Sequence, residues 1–237
     1  MRHADAKTIY LKDYQAPEFG IDTTVLHFDL FEEFAVVEST LDMHRSSGAQ
    51  ELILHGRDLV LEELRLNDTK LFEDQYTLTD EHLSISGLDA ILGDHSETFT
   101  LFCRTRIEPQ NNTALEGLYK SGRMFCTQCE AEGFRRITFY LDRPDVMSRF
   151  ITTVVADAER YHTLLSNGNC VARGVIEEDP TRHWVRWEDP FKKPSYLFAL
   201  VAGALKHKSD KFTTSSGREV TLQIYVEQKD LDKIDYA

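Results

Sequence analysis

No complete catalytic motif can be found in the 237 residues. There is no G-x-S-x-G, no P-loop and no G-x-G-x-x-G, and Ser121-Gly122 and Ser216-Gly217 read as turns. Nine histidines are scattered without an H-E-x-x-H: Leu83 follows His82, and Ser96 follows His95. A catalytic zinc held within this chain is therefore not expected. Cysteine is scarce, with Cys103, Cys126, Cys129 and Cys170 irregularly spaced. That excludes a disulfide framework and fits a reducing compartment. No apolar run approaches the ~18 residues a membrane span needs. The N-terminal stretch lacks the apolar region of a secretory signal, so a cytoplasmic location is expected and no membrane partner. Basic residues number 27 against 40 acidic ones, a net charge of −13, which disfavours nucleic acid. The densest basic stretch, Lys206 to Lys211, is broken by Ser209 and Asp210.

What is present is an ordinary globular composition, 41% hydrophobic and 28% charged, long enough for one large domain or two small ones. Period-two patterns dominate. Leu26, Phe28 and Leu30 alternate with Val25, His27 and Asp29, and a strand-like stretch runs from Phe34 to Met43. Phe99, Leu101, Cys103, Thr105 and Ile107 share one strand face. Gly56-Arg57-Asp58 marks a turn between the strand-like runs Leu52–Leu54 and Leu59–Leu66, although the Leu and Glu content of the second also suits a helix. Asn167-Gly168, between Leu164–Leu165 and Cys170–Val175, predicts a two-residue hairpin. The apolar run Tyr196 to Val201 predicts a buried strand, and Ser215-Ser216-Gly217 the turn of a last hairpin ending at Val226. The fold class expected is mainly β: antiparallel, saddle-like curved sheets or a β-sandwich, with few short helices. Residues 108 to 148, broken by Gly117, Gly122, Gly133 and Pro144, read as a long structured loop region.

The segment Cys126 to Phe150 concentrates polar chemistry. Gln128, Glu130, Glu132, Arg135, Arg136, Asp142 and Arg143 are interleaved with Phe134, Phe139, Tyr140 and Leu141, so part of it must lie on a core. Cys126 and Cys129 form a C-x-x-C, but neither a second pair nor a strand-to-helix context accompanies it, which argues against zinc or redox use. Glu130 and Glu132 read in two ways: a solvated pair beside Arg135 and Arg136, worth about 0–1 kcal/mol per exposed pair, or a carboxylate aimed into a cleft to hold a cation. The residue pattern by itself favours the first.

Several motifs, in order, shift that balance. Asn112 to Tyr119 (NTALEGLY), Thr127-Gln128-Cys129-Glu130, Arg135, Asp142-Arg143-Pro144 with Phe150, Leu165 to Gly168 (LSNG) and Tyr196 to Gly203 (YLFALVAG) resemble the N-terminal domain of the aminopeptidase N family of zinc metallopeptidases. The resemblance runs from about Tyr14 to Val226. It implies a β-rich saddle-like domain over residues 1–203, with residues 204–237 opening a thermolysin-like catalytic domain whose sheet edge includes the last hairpin. It implies removal of N-terminal amino acids from peptides, with the catalytic domain of the same polypeptide and the peptide N-terminus as partners. The family's zinc motif and its G-A-M-E-N loop do not occur before Ala237, so the chain is expected to be a fragment, inactive alone and binding no zinc itself. Two site residues carry over by resemblance: Glu130 as the carboxylate that binds the free α-amine, and Gln128 as a residue of the S1 pocket contacting the substrate backbone. Asp142, Arg135 and Tyr140 are expected to hold the loop, with Arg135 in reach of orienting Glu130. The alternative is a stand-alone β-sandwich module that binds peptide or glycan. Such a module needs an aromatic platform, and Trp184 and Trp187, three apart, point to opposite faces of a strand.

Overall fold

In the computed structural model, residues 10–236 are described except 47, 94 and 95. The N-terminal nonapeptide, His95 and Ala237 therefore lie outside the described residues. A first hairpin pairs β1 (Phe19–Leu30) with β2 (Ala35–Arg45). The chain continues through β3 (Glu51–His55), β4 (Val60–Leu66), β5 (Thr69–Lys70), β6 (Thr77–Leu78), β7 (His82–Ser86), a one-turn helix α1 (Leu88–Leu92) and β8 (Thr98–Ile107). It then forms β9 (Gly117–Ser121), β10 (Met124–Gln128), β11 (Met147–Asp157), β12 (Thr163–Ser166), β13 (Asn169–Val175), β14 (Arg182–Pro194), β15 (Leu200–Gly203), β16 (Leu205–Thr213) and β17 (Glu219–Glu227), and ends in a 3₁₀ helix, Gln228–Tyr236.

These strands build an eight-stranded sheet (β13-β14-β11-β1-β2-β8-β4-β5), a four-stranded sheet (β12-β15-β10-β9), a three-stranded sheet (β3-β7-β6) and the two-stranded β16-β17. The fold is mainly β, and the pairing is antiparallel except for β1 with β11, which run parallel. The alternation read from the sequence sets the sheet's inner face. Leu26, Phe28, Leu30, Leu101, Cys103 and Val154 are buried, while His27, Arg104 and Arg106 face outward. Burial pushes the Cys103 thiol up to about 12, so it behaves as a small apolar side chain. The ambiguous Leu59–Leu66 run is a strand: Leu64 and Leu66 are buried against β8, a period of two that a helix could not use.

Three expectations are corrected. Asn167-Gly168 does not close a hairpin: β12 pairs with β15 and β13 with β14, in different sheets. The Asn167 side chain instead bonds the Leu197 carbonyl and the Ala199 amide, and Gly168 (φ +89°) lies against the Glu188 carbonyl, so the turn hands the chain from one sheet to the other. The run Tyr196 to Val201 is not one strand. A 3₁₀ turn, Ser195–Leu197, precedes β15, because Pro194 supplies no amide to extend a ladder. The long loop region holds a real hairpin, β9-β10, with Gln128 opposite Gly117.

Candidate functional site

Gln128 ends β10, and the chain then makes a tight turn rather than a flexible loop. The Gly133 amide donates to the Cys129 carbonyl at 2.9 Å, closing the turn around the exposed residues 130–132. Gly133 is buried so closely that a Cβ would stand 2.4 Å from the Gln128 carbonyl oxygen and 2.9 Å from the Gly117 nitrogen. The strand leading in is fastened by Thr127, whose hydroxyl accepts from the Leu200 amide (2.8 Å) and donates to the Leu200 carbonyl (3.3 Å). Cys129 is buried below the turn, and desolvation raises its thiol pKa well above the ordinary value, which removes it as a nucleophile at neutral pH. Cys126 is half-buried, its thiol also raised by burial, and the two remain free thiols.

Beyond the turn the chain enters the core. Phe134 meets Tyr140 edge-on at 4.8 Å and Phe198 at 5.4 Å, and Phe150 packs on the same cluster. The Tyr140 hydroxyl sits in a buried triad with Thr24 (3.0 Å) and Ser148 (2.9 Å), and burial pushes its pKa up to about 12. The polar residues between these aromatics are therefore presented on a rigid apolar base.

Asp142, with 1% of its side chain exposed, organises them. Its Oδ2 accepts from the Arg135 amide (3.1 Å) and from Arg135 Nε (3.0 Å). Its carbonyl accepts from Arg135 Nη2 (3.2 Å), and its Oδ1 accepts from the Ser195 hydroxyl (2.6 Å). The Asp142 amide donates to Nδ1 of His55 at 3.3 Å, and His55 bridges Tyr140 by a pair of backbone bonds at 2.9 and 3.0 Å. Arg135 also reaches Glu132 at 3.4 Å. The expected loop-holding residues are thus brought together, with one correction: Arg135 is directed at Asp142 and Glu132, not at Glu130. Ser195, His55, Gly117 and Gly133 complete the frame and are not evident from residue type. The glycines carry a weak signal in their spacing around the motif, and His55 carries none.

Glu130 stands exposed on the turn, and among the described residues its carboxylate makes no hydrogen bond or ion pair. Gln128 is exposed beside it, Nε2 donating to the Glu130 carbonyl at 3.4 Å. The Glu130–Ala131 peptide is cis. Neither Gln128 nor Glu130 belongs to the lining of the cleft at Asp58, Glu116 and Arg136. The nearby cleft of 1630 Å³ is walled by Asp58, Leu78, Glu81, Leu115, Glu116 and Phe139. Arg136 on its wall is held between Glu116 (3.1 Å) and Asp58. The arrangement is therefore an unneutralised carboxylate and an amide on a fixed turn, open on one side. Among the described residues no group of three or more His, Cys, Asp or Glu could hold a metal ion.

The sequence profile of the peptidase M1 N-terminal domain matches residues 25–197. The chain belongs to that family. This M1 N-terminal domain is 47% identical over 232 residues to aminopeptidase N of Escherichia coli and 44% identical over 233 residues to that of Haemophilus influenzae, covering 96% and 98% of the chain. It spans about a quarter of the length of these relatives (25% and 26%). Aminopeptidase A of Legionella pneumophila, solved with aspartic acid, superposes with a TM-score of 0.87 at 32% identity, over 95% of this chain and 26% of that one. An M1 zinc metallopeptidase of Deinococcus radiodurans, solved with a Tyr-Ser-Ala substrate, has a TM-score of 0.73 over 89% of this chain and 48% of its own, at 14% identity, a likeness of fold alone.

Proposed function

We propose that this chain is the amine-anchoring N-terminal domain of a zinc-dependent aminopeptidase that removes N-terminal amino acids from peptides. The observation that carries the reading is the exposed, unpartnered Glu130 carboxylate on a turn fixed at both ends, in a chain of this family. Glu132, two residues away, pairs with Arg135, whereas Glu130 does not. Glu130 leaves Arg135 and Arg136 to other partners, and a carboxylate so kept is ready for an incoming cation.

The chemistry suits an exopeptidase, which must separate a terminal ammonium from an internal amide. A carboxylate closed off from water accepts charge-assisted hydrogen bonds from the ammonium, worth about 1.5–3 kcal/mol, and its charge is then neutralised. An internal amide has one N–H to donate and no charge, and would leave the carboxylate desolvated and unpaired. In this reading Gln128 lines the S1 pocket and contacts the substrate backbone. Fixing the amine also fixes the first peptide bond relative to the reacting centre. The open side of the turn would be closed by the catalytic domain of the same polypeptide, which residues 204–237 begin. The described residues offer no ligand set for zinc, so the zinc belongs in this reading to the rest of the polypeptide, where it would activate water and polarise the carbonyl. The four free cysteines favour a cytoplasmic enzyme.

Glu130→Gln in the complete enzyme tests the reading. Loss of one charge-assisted contact should lower kcat/KM for an amino-acid amide by about 10- to 150-fold, the span that 1.5–3 kcal/mol allows. An unchanged kcat/KM would remove Glu130 from the site.

A further inference from the structure

We propose that Asp142 is a positioning residue for the substrate-amine carboxylate, acting through Arg135 on the turn that carries Glu130. The inference rests on the amine-anchor reading above. Among the described residues the Glu130 carboxylate makes no hydrogen bond or ion pair, so its place is set by the backbone of residues 128–133, whose Glu130 carbonyl accepts from the Gln128 side chain. On the incoming side that backbone is held by the β9-β10 ladder and by Thr127. On the outgoing side it is held by Asp142. One oxygen of this carboxylate takes both the Arg135 amide and the Arg135 guanidinium, and the guanidinium extends to Glu132, two residues from Glu130.

Asp142 is itself locked from regions remote in sequence. Ser195, just after β14, donates to its second oxygen, and His55, at the end of β3, accepts from its amide. Two sheets thus fix Asp142, one through its carboxylate and one through its amide, and Asp142 holds the segment that follows the turn. A buried Asp–Arg pair is often a matter of stability alone, since removing one partner strands a buried charge. Here the bonds converge on the amide of Arg135, two residues beyond the turn, and through its guanidinium on Glu132 within the turn's exposed segment. The Asp142–Arg135–Glu132 chain therefore sets where Glu130 points, and a shift of about 1 Å at such a group is enough to cost orders of magnitude in orientation-dependent steps.

The test compares two competitive inhibitors of the complete enzyme that have no bond to cleave, L-leucinol and its counterpart without the amine, 4-methylpentan-1-ol. The ratio of their inhibition constants reads the amine preference. General loosening weakens both compounds in parallel, whereas a displaced Glu130 weakens only the first. Asp142→Asn should reduce the ratio about tenfold, and Glu132→Gln, a surface change, by about threefold at unchanged Tm. If Asp142→Asn does not fold, Arg135→Lys and Glu132→Gln carry the test. Glu130→Gln is run beside them. If it collapses the ratio while Asp142→Asn, Arg135→Lys and Glu132→Gln leave it intact, the positioning role is overturned and the anchor stands. If Glu130→Gln itself leaves the ratio intact, the anchor reading fails and takes the positioning role with it.

Discussion

His55 shows how a side chain with no signal in the sequence becomes part of the site's frame. Its Nδ1 accepts from the Asp142 amide, which requires the neutral ring with the proton on Nε2. Burial, then the Arg135 guanidinium and His82, lower its pKa below the ordinary 6.5, against an opposing pull from Asp142. Above pH ~6.5 both folded and unfolded chains carry a neutral ring. As pH falls below that value the unfolded chain takes up a proton that the folded chain refuses, so stability drops until the lowered folded pKa is passed. His55→Asn keeps an acceptor without a titrating ring. Urea unfolding of the chain at pH 7.5 and 5.0 should show a smaller loss of stability in His55→Asn than in the wild type, and equal losses would remove His55 from the acid response. Arg135 and Asp142 stand out in the sequence as charges among aromatics, whereas Glu130 and Gln128 are marked only by the family resemblance, since their pattern alone reads as a solvated surface. The partners of Asp142 could not, because His55 and Ser195 come from elements that only the folded sheets bring together.

At the level of strands, period two is sufficient where one face is fully buried, as in β1 and β8, since a slip of one residue would expose the core set. The Leu- and Glu-rich run Leu59–Leu66 instead needs its pairing with β8 to decide strand over helix. Period two is also insufficient where the chain changes sheets. Asn167-Gly168 carries the composition of a hairpin turn, yet local chemistry says only that the chain turns, not which strands pair afterwards. The pairing is decided by distant contacts, the Asn167 side chain on residues 197 and 199 and the approach of Gly168 to Glu188. That approach gives a quantitative expectation. A Cβ at Gly168 would stand 2.2 Å from the Glu188 carbonyl oxygen at φ +89°, whereas at Gly217, φ +81°, nothing lies within 4 Å. Gly217→Ala should therefore cost only the left-handed backbone penalty of about 1–2 kcal/mol. Gly168→Ala should add the cost of overpacking, about 1–3 kcal/mol more. Denaturant midpoints of the two variants measure the difference, and equal midpoints would mean that the β14 backbone yields freely at this crossing.

Across the molecule, the described surface is not uniformly finished. The large sheet buries one face and pairs outward charges, Arg104 lying between Glu38 and Glu62. The β16-β17 hairpin stands as a separate two-stranded sheet. Its register places Phe212 opposite Val220 and Asp210 opposite Leu222, so Phe212, Val220, Leu222, Ile224 and Val226 share one face. Phe212 is 55% exposed, Leu222 46% and Ile224 38%. A two-stranded ribbon alone is marginal in water, and the apolar row along β17 with Phe212, bordered on β16 by Asp210, Lys208 and Lys206, signals a covering partner. In the proposed reading that partner is the remainder of the catalytic domain's sheet. The 237-residue chain expressed alone should then self-associate through this face, with a sedimentation coefficient that rises with concentration. Phe212→Ser with Leu222→Ser should abolish the rise and leave the unfolding midpoint of the large-sheet core unchanged, because neither side chain belongs to that core. A wild-type chain that stays monomeric across the concentration range would show that the ribbon tolerates water, and the assignment of residues 204–237 to a second domain would lose this support.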